Sequence, residues 1–196
     1  LWGIVTSLSA AGLILSHNAV SLMFLPIIIF YLIYLFFFEA ERKAAYLAKA
    51  SFYLFEGFVL SAFFWIPAFF EGKYTLRDIV TKGDFTDRFV PLTWFINSPW
   101  NYGGGNDFTK ALGFAQLGAI LGGLIVLWKS KNSKLKLLTT AGLLVILGSI
   151  FLMTGWSELL WTKVTLLQKF QFPWRLLALV VFSGAFLGGA TVSAFS

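Results

Sequence analysis

The chain has 196 residues, of which 58% are hydrophobic and only 12% charged, with a formal net charge of +6. Soluble domains carry about twice that share of charge, so the composition excludes an ordinary soluble fold and points to an integral membrane protein. The absence of cysteine excludes disulfides and thiolate metal sites. The positive balance is no nucleic-acid signal, because the basic residues flank apolar segments.

The expected fold is all-α: a polytopic transmembrane helix bundle of about six spans with a long ordered outer loop, forming a single transmembrane domain over residues 1–196. The first span, Trp2 to Leu15, has no basic leader and no small-residue cleavage site. The chain opens inside this apolar run without an initiator Met, and is expected to be a fragment of a longer polytopic protein. Ser16-His17-Asn18 turns into the second span, Ala19 to Phe38, where Pro26 predicts a kink. The third span, Ala50 to Phe70, carries Pro67 and Glu56. An ionisable residue two turns inside a span is a functional candidate; near the cytoplasmic end, it is equally expected to reach headgroups or to pair with Lys49.

A connector from Glu71 to Ala111 follows. Thr75 to Thr81 reads as a short helix ended by Gly83, and Phe89 to Ile96 is rich in aromatic and branched residues. Asn97 to Asp107 is turn-forming and holds Trp100 and Tyr102. Gly103-Gly104-Gly105 reads as a turn, since no strand precedes it. The aromatic content predicts that this loop packs over the helix ends, with Phe89, Trp94 and Ile96 contributing. The fourth span is Leu112 to Trp128, the fifth Leu137 to Met153, and the sixth Pro173 to Phe195. Between the last two, Trp156 to Phe172 alternates apolar and polar residues and predicts an interfacial helix. Gly118-x-x-x-Gly122 and Gly184-x-x-x-Gly188 predict close packing within the molecule.

Connector charges set the expected orientation. Arg42, Lys43 and Lys49 follow the second span, and Lys129, Lys131, Lys134 and Lys136 follow the fourth. Both connectors are expected in the cytoplasm of a plasma (inner) membrane, multi-pass protein of the cell envelope, with the neutral Glu71 to Ala111 loop outside.

Arg175 is the sharpest functional candidate. It follows Phe172-Pro173-Trp174 at the head of the sixth span, where Pro173 suits the first helical position and a cation opposes the helix dipole. Lys169 and Arg175 suit a phosphate. Trp100 and Tyr102, beside Asn and Asp, suit a sugar or an interfacial belt. His17 is the only histidine. Asp84, Asp87 or Asp107 in space would be needed to complete a metal site, and helix capping by Ser16, His17 and Asn18 is the simpler reading.

Four segments together resemble a known group: Leu15-Ser16-His17-Asn18, Ser61-Ala-Phe-Phe-Trp65-Ile-Pro67-Ala68, Pro99-Trp100-Asn-Tyr-Gly-Gly and Gln171-Phe172-Pro173-Trp174-Arg175. In this order they look like the bacterial and archaeal membrane proteins labelled pyruvoyl-tetrahydropterin-synthase-related, which are similar to the GT-C superfamily of glycosyltransferases. The resemblance implies transfer of a sugar from a polyprenyl-phosphate donor at the outer membrane face. It implies Arg175 as donor-phosphate ligand, His17 and Asn18 lining the same cavity, and the lipid bilayer and a lipid-linked sugar phosphate as partners. The cofactor is left open, a divalent metal being one option. The family's acid follows its first span, but Ser16 to Ser21 has none, so the acid is expected upstream and no catalytic residue is carried over. Alternatives are a transporter or flippase of a lipid-linked or anionic substrate, or a non-catalytic membrane assembly subunit.

The orientation is tested by Ser98→Cys and Ser133→Cys. An impermeant reagent added outside should label the first and spare the second; the reverse pattern would overturn the topology.

Overall fold

A computed structural model describes residues 1–74, 85–100 and 109–195. Among these residues every regular element is helical, as the composition predicts. The expected helix at Thr75–Thr81 and the Gly103–Gly105 turn lie outside the described residues. The chain divides into two compact units, Leu1–Val80 and Thr81–Ser196.

The first unit holds α1 (Trp2–Ser16), α2 (Asn18–Phe38), α3 (Lys43–Leu60) and α4 (Ala62–Phe70). Glycines let α1 approach α3. A Cβ on Gly57 would sit 2.6 Å from the Ser7 carbonyl oxygen and 2.7 Å from Ala10 Cβ, and one on Gly3 would enter the Tyr53 ring. At this contact Ser7 Oγ donates to Glu56 Oε2 at 2.7 Å. Ser7, rather than Lys49, is therefore the partner the structure gives Glu56.

Helix α2 runs without a break through Pro26. The break comes instead at Ser61, upstream of Pro67, where α3 and α4 meet at 66°. Breaking a helix strands carbonyls, which an apolar medium penalises by several kcal/mol each. Here the Ser61 hydroxyl bonds the Gly57 and Phe58 oxygens at 3.1 and 3.0 Å, and the Trp65 indole donates to Phe58 O at 2.9 Å. The Trp65 ring also stacks on Phe58 at 4.3 Å.

The second unit holds α5 (Phe114–Lys129), α6 (Ser133–Met153), α7 (Glu158–Lys163), α8 (Thr165–Gln168) and α9 (Leu177–Phe195). Asn132 caps α6, its Oδ1 accepting from the Lys134 and Leu135 amides at 3.0 and 3.1 Å. Helix α9 packs on both α5 and α6. Leu187 is the key: fully buried, its Cδ2 would lie 3.1 Å from a Cβ on Gly123 and 3.2 Å from one on Gly142. Gly122 faces Thr191, and Gly184 faces Gln116 at 3.3 Å, whereas Gly118 and Gly188 open onto space. One glycine of each G-x-x-x-G pair thus serves intramolecular packing.

The connector before α5 is seated on this unit. Val90 N bonds Met153 O at 2.7 Å, and Leu112 N bonds Phe95 O at 2.8 Å. Phe85 and Phe89 pack on Trp161 at 5.7 and 6.1 Å. Phe95 is buried, Phe89 and Trp94 half-buried, and Ile96 is 80% exposed. Trp161 is sealed completely, its indole donating to Leu152 O at 2.9 Å. The single interfacial helix expected over Trp156–Phe172 is two short ones, interrupted at Val164. They turn Trp161 inward and leave Leu159, Leu160 and Leu166 exposed.

Three helical stretches are long and apolar enough to cross a membrane: Asn18–Phe38, Ser133–Met153 and Pro173–Ala194. The bent pair α3–α4 makes a fourth if counted as one span. This is fewer than the six expected. Helix α5 has 16 residues, and at 1.5 Å per residue it falls short of the roughly 30 Å hydrocarbon core. Apolar side chains cover the outside of the molecule, with Phe63, Phe69, Leu144 and Val192 all exposed, as lipid contact requires.

The Gly122 contact yields a stability prediction. Gly122→Ala must push Thr191 aside, because a Cβ there would lie 2.9 Å from Thr191 Cγ2. The expected cost is about 1–3 kcal/mol, largely recovered by Thr191→Ala in the same molecule. Thermal unfolding in detergent measures both, and an unchanged midpoint for Gly122→Ala would contradict the packing.

Candidate functional site

The site grows from a tight turn after α8. Phe170 N bonds Leu167 O at 2.9 Å, Gln171 N bonds Gln168 O at 3.1 Å, and Phe172 N bonds Phe170 O at 2.7 Å. Phe170 is buried edge-on against Trp161 at 6.5 Å. To leave this turn the backbone adopts φ 63° at Gln171, the only positive-φ residue other than glycine among the described residues. Side chains other than glycine, asparagine and aspartate seldom sit there, and such strain clusters at functional sites. Its consequence is local: the Phe172 ring and the Gln171 carbonyl are both presented to cations.

Pro173 is buried and opens a 3₁₀ turn, Pro173–Leu176, with Arg175 N bonded to Phe172 O at 3.0 Å. The α-helix proper begins at Leu177, so Arg175 precedes it while remaining at its positive end. The Arg175 guanidinium carbon lies 5.1 Å from the centroid of the Phe172 ring. A second guanidinium meets the same ring: Arg88, at the end of the 3₁₀ turn Thr86–Arg88, at 4.6 Å. Arg88 Nη1 also donates a long bond, 3.5 Å, to Gln171 O. Trp174 stacks on Phe172 at 5.0 Å. Both arginines are half-buried, and among the described residues neither has a carboxylate within ion-pair distance. Each cation–ring contact is worth about 0.5–2 kcal/mol. Two like charges thus lie at one ring, which neutralises neither.

Lys169 and Trp100 are exposed, Trp100 by 70%, and neither shares a hydrogen bond or ring contact with Arg175. Tyr102 lies outside the described residues. His17 and Asn18 belong to the first unit. There His17 is a cap: its Nδ1 accepts from Ala19 N at 3.0 Å, which places the ring proton on Nε2. Asn18 is exposed as the first residue of α2. Among the described residues no three His, Asp or Glu side chains gather as a metal would require.

Sequence reasoning missed Arg88 and the role of Phe172. The Glu71–Ala111 loop has balanced acids and bases, and its neutral sum gave no reason to single out Arg88. Lys110 of the same loop is buried with its Nζ 5.0 Å over Trp94.

Gln171 supplies a test of the turn. Gln171→Val places a β-branched residue at positive φ and should lower stability by about 1–3 kcal/mol, whereas Gln171→Gly should not. Chemical denaturation in detergent distinguishes them, and equal losses would argue against the left-handed turn.

No family model matches the chain, and no curated protein or solved structure is significantly similar to it.

Proposed function

We propose that this chain is the phosphate-binding part of a GT-C-like glycosyltransferase, using a polyprenyl-phosphate-linked sugar at the outer face of the plasma membrane. The observation that carries this reading is the Arg175 guanidinium. It is held half-buried at the positive end of the α9 span, beside Phe172, with no carboxylate among the described residues paired with it. A cation in that position favours an anionic ligand, and a planar guanidinium matches phosphate oxygens bidentately. In inverting transfer the acceptor hydroxyl attacks the anomeric carbon and gives its proton to a base. The sugar–oxygen bond breaks, and its electron pair leaves with the lipid phosphate. Arg175 would stabilise the charge that develops there. The Lys-rich connectors are placed in the cytoplasm by the positive-inside rule.

A specific observation favours a second reading, a transporter or flippase of a lipid-linked or anionic substrate. The α3–α4 span is broken by 66° at Ser61, near Glu56, and discontinuous helices mark transporter sites. Movement of the intact donor between leaflets, with its sugar–phosphate bond unbroken, would favour that reading.

The test is donor binding by the full chain in lipid nanodiscs. Arg175→Lys should fold and bind polyprenyl-phosphate sugar about ten- to a hundredfold more weakly, the loss expected for one bidentate charged contact. Equal binding by Arg175→Ala and the parent would sink the proposal.

A further inference from the structure

We infer that Arg88 is the second arm of the Arg175 site, and that the pair selects a phosphate group carrying two or more negative charges, a diphosphate above all. The inference deepens the phosphate-binding reading of Arg175 and rests on it. Four observations carry it. The two guanidinium carbons lie 4.6 and 5.1 Å from the centroid of one ring, Phe172. They come from distant parts of the chain, the turn Thr86–Arg88 and the turn Pro173–Leu176, so their approach to one ring is a product of the fold. Arg88 is steered by the carbonyl of Gln171, the residue at φ 63°. Neither arginine has an acidic partner among the described residues.

Arginines gathered only to cover a ring gain nothing from being two, since like charges repel. An anion reverses the sign of that cost. With one guanidinium, a monoanionic phosphodiester is already matched. With two, charge balance is reached only by a ligand of at least two charges, whose oxygens both forks can take bidentately. The shared chemistry is a polyanionic phosphate. It reaches the site as the headgroup of a polyprenyl diphosphate or as a free diphosphate, whereas bulk phosphatidylglycerol is a monoanion and a poor match.

The experiment compares polyprenyl diphosphate, a polyprenyl-phosphate sugar (a monoanionic phosphodiester), inorganic diphosphate and phosphatidylglycerol. Each is added to the full chain in phosphatidylcholine nanodiscs, with binding read by thermal shift and native mass spectrometry. The parent should prefer polyprenyl diphosphate over the phosphodiester at least tenfold. Arg88→Gln should lose that preference, binding of the diphosphate falling at least tenfold more than binding of the phosphodiester, and Arg175→Gln should weaken both. Arg88→Lys, which keeps the charge, should show an intermediate preference and serves if Arg88→Gln does not fold. An unchanged preference in Arg88→Gln, or in Arg88→Lys where only that variant folds, overturns the inference and leaves the reading of Arg175 standing. Arg88-dependent binding of inorganic diphosphate without binding of any polyprenyl phosphate sustains the two-arginine site and defeats the glycosyltransferase reading. Equal binding of phosphatidylglycerol and polyprenyl diphosphate by the parent overturns the inference, because the site would then be a headgroup contact.

Discussion

Where this chain interrupts a helix, side chains take up the carbonyls left over, and the rest of the architecture depends on that. In an apolar surround a stranded carbonyl has no water to turn to. At the first turn Ser16 and Ser21 both donate to Leu13 O, at 2.7 and 2.8 Å. At the α3–α4 break the donors are Ser61 and Trp65. After α6, Ser157 and Trp161 share Leu152 O at 3.0 and 2.9 Å. Beyond α7, Gln168 Nε2 reaches Trp161 O at 2.8 Å. These bonds let an apolar chain bend without exposing backbone. They also fix where the bends fall: the break follows Ser61 and its two acceptors rather than Pro26 or Pro67.

Within the second unit the helices are held by shape. A bilayer supplies little hydrophobic force between helices, so close approach of small residues carries the packing. Leu187 fills the notch between Gly123 and Gly142, and Thr191 takes the place a side chain on Gly122 would need. The same tightness has a cost. Thr139, also fully buried, has its Cγ2 3.5 Å from a Cβ position on Gly123. Its hydroxyl is the one buried side-chain polar atom without a partner among the described residues. In an α-helix that hydroxyl can turn back to the carbonyl one turn earlier, so the methyl's contact has been favoured over the hydroxyl's bond.

Much of the helix plan was legible. Each apolar stretch named from the sequence contains a helix, because hydropathy and helix formation coincide where backbone must be satisfied internally. Span count was less legible: hydropathy reports which residues avoid water, but not whether a helix such as α5 runs long enough to cross. The site was half legible. Arg175 announces itself through Pro173 and the helix head. Arg88 does not, because it sits in a connector whose charges cancel in sequence and whose partner ring lies 84 positions away. The strained Gln171 was equally silent, since glutamine carries no signature of positive φ.

The electrostatics of the Phe172 platform bear on why both cations are arginines. A lysine's ammonium is a strongly hydrated point charge, and half-burying it would strip water that nothing here replaces. A guanidinium is weakly hydrated across its faces, so an aromatic ring can stand in for that water while the in-plane N–H groups stay available. Phe172 contributes a face, Trp174 stacks beside it, and Gln171 O holds one fork at 3.5 Å. What remains unmatched is charge. The helix end adds a further partial positive charge of about half a unit at α9, and the described residues supply no carboxylate against it. The fold therefore bears two guanidiniums and a helix terminus of the same sign around one ring. Such an arrangement is most stable when an anion occupies it.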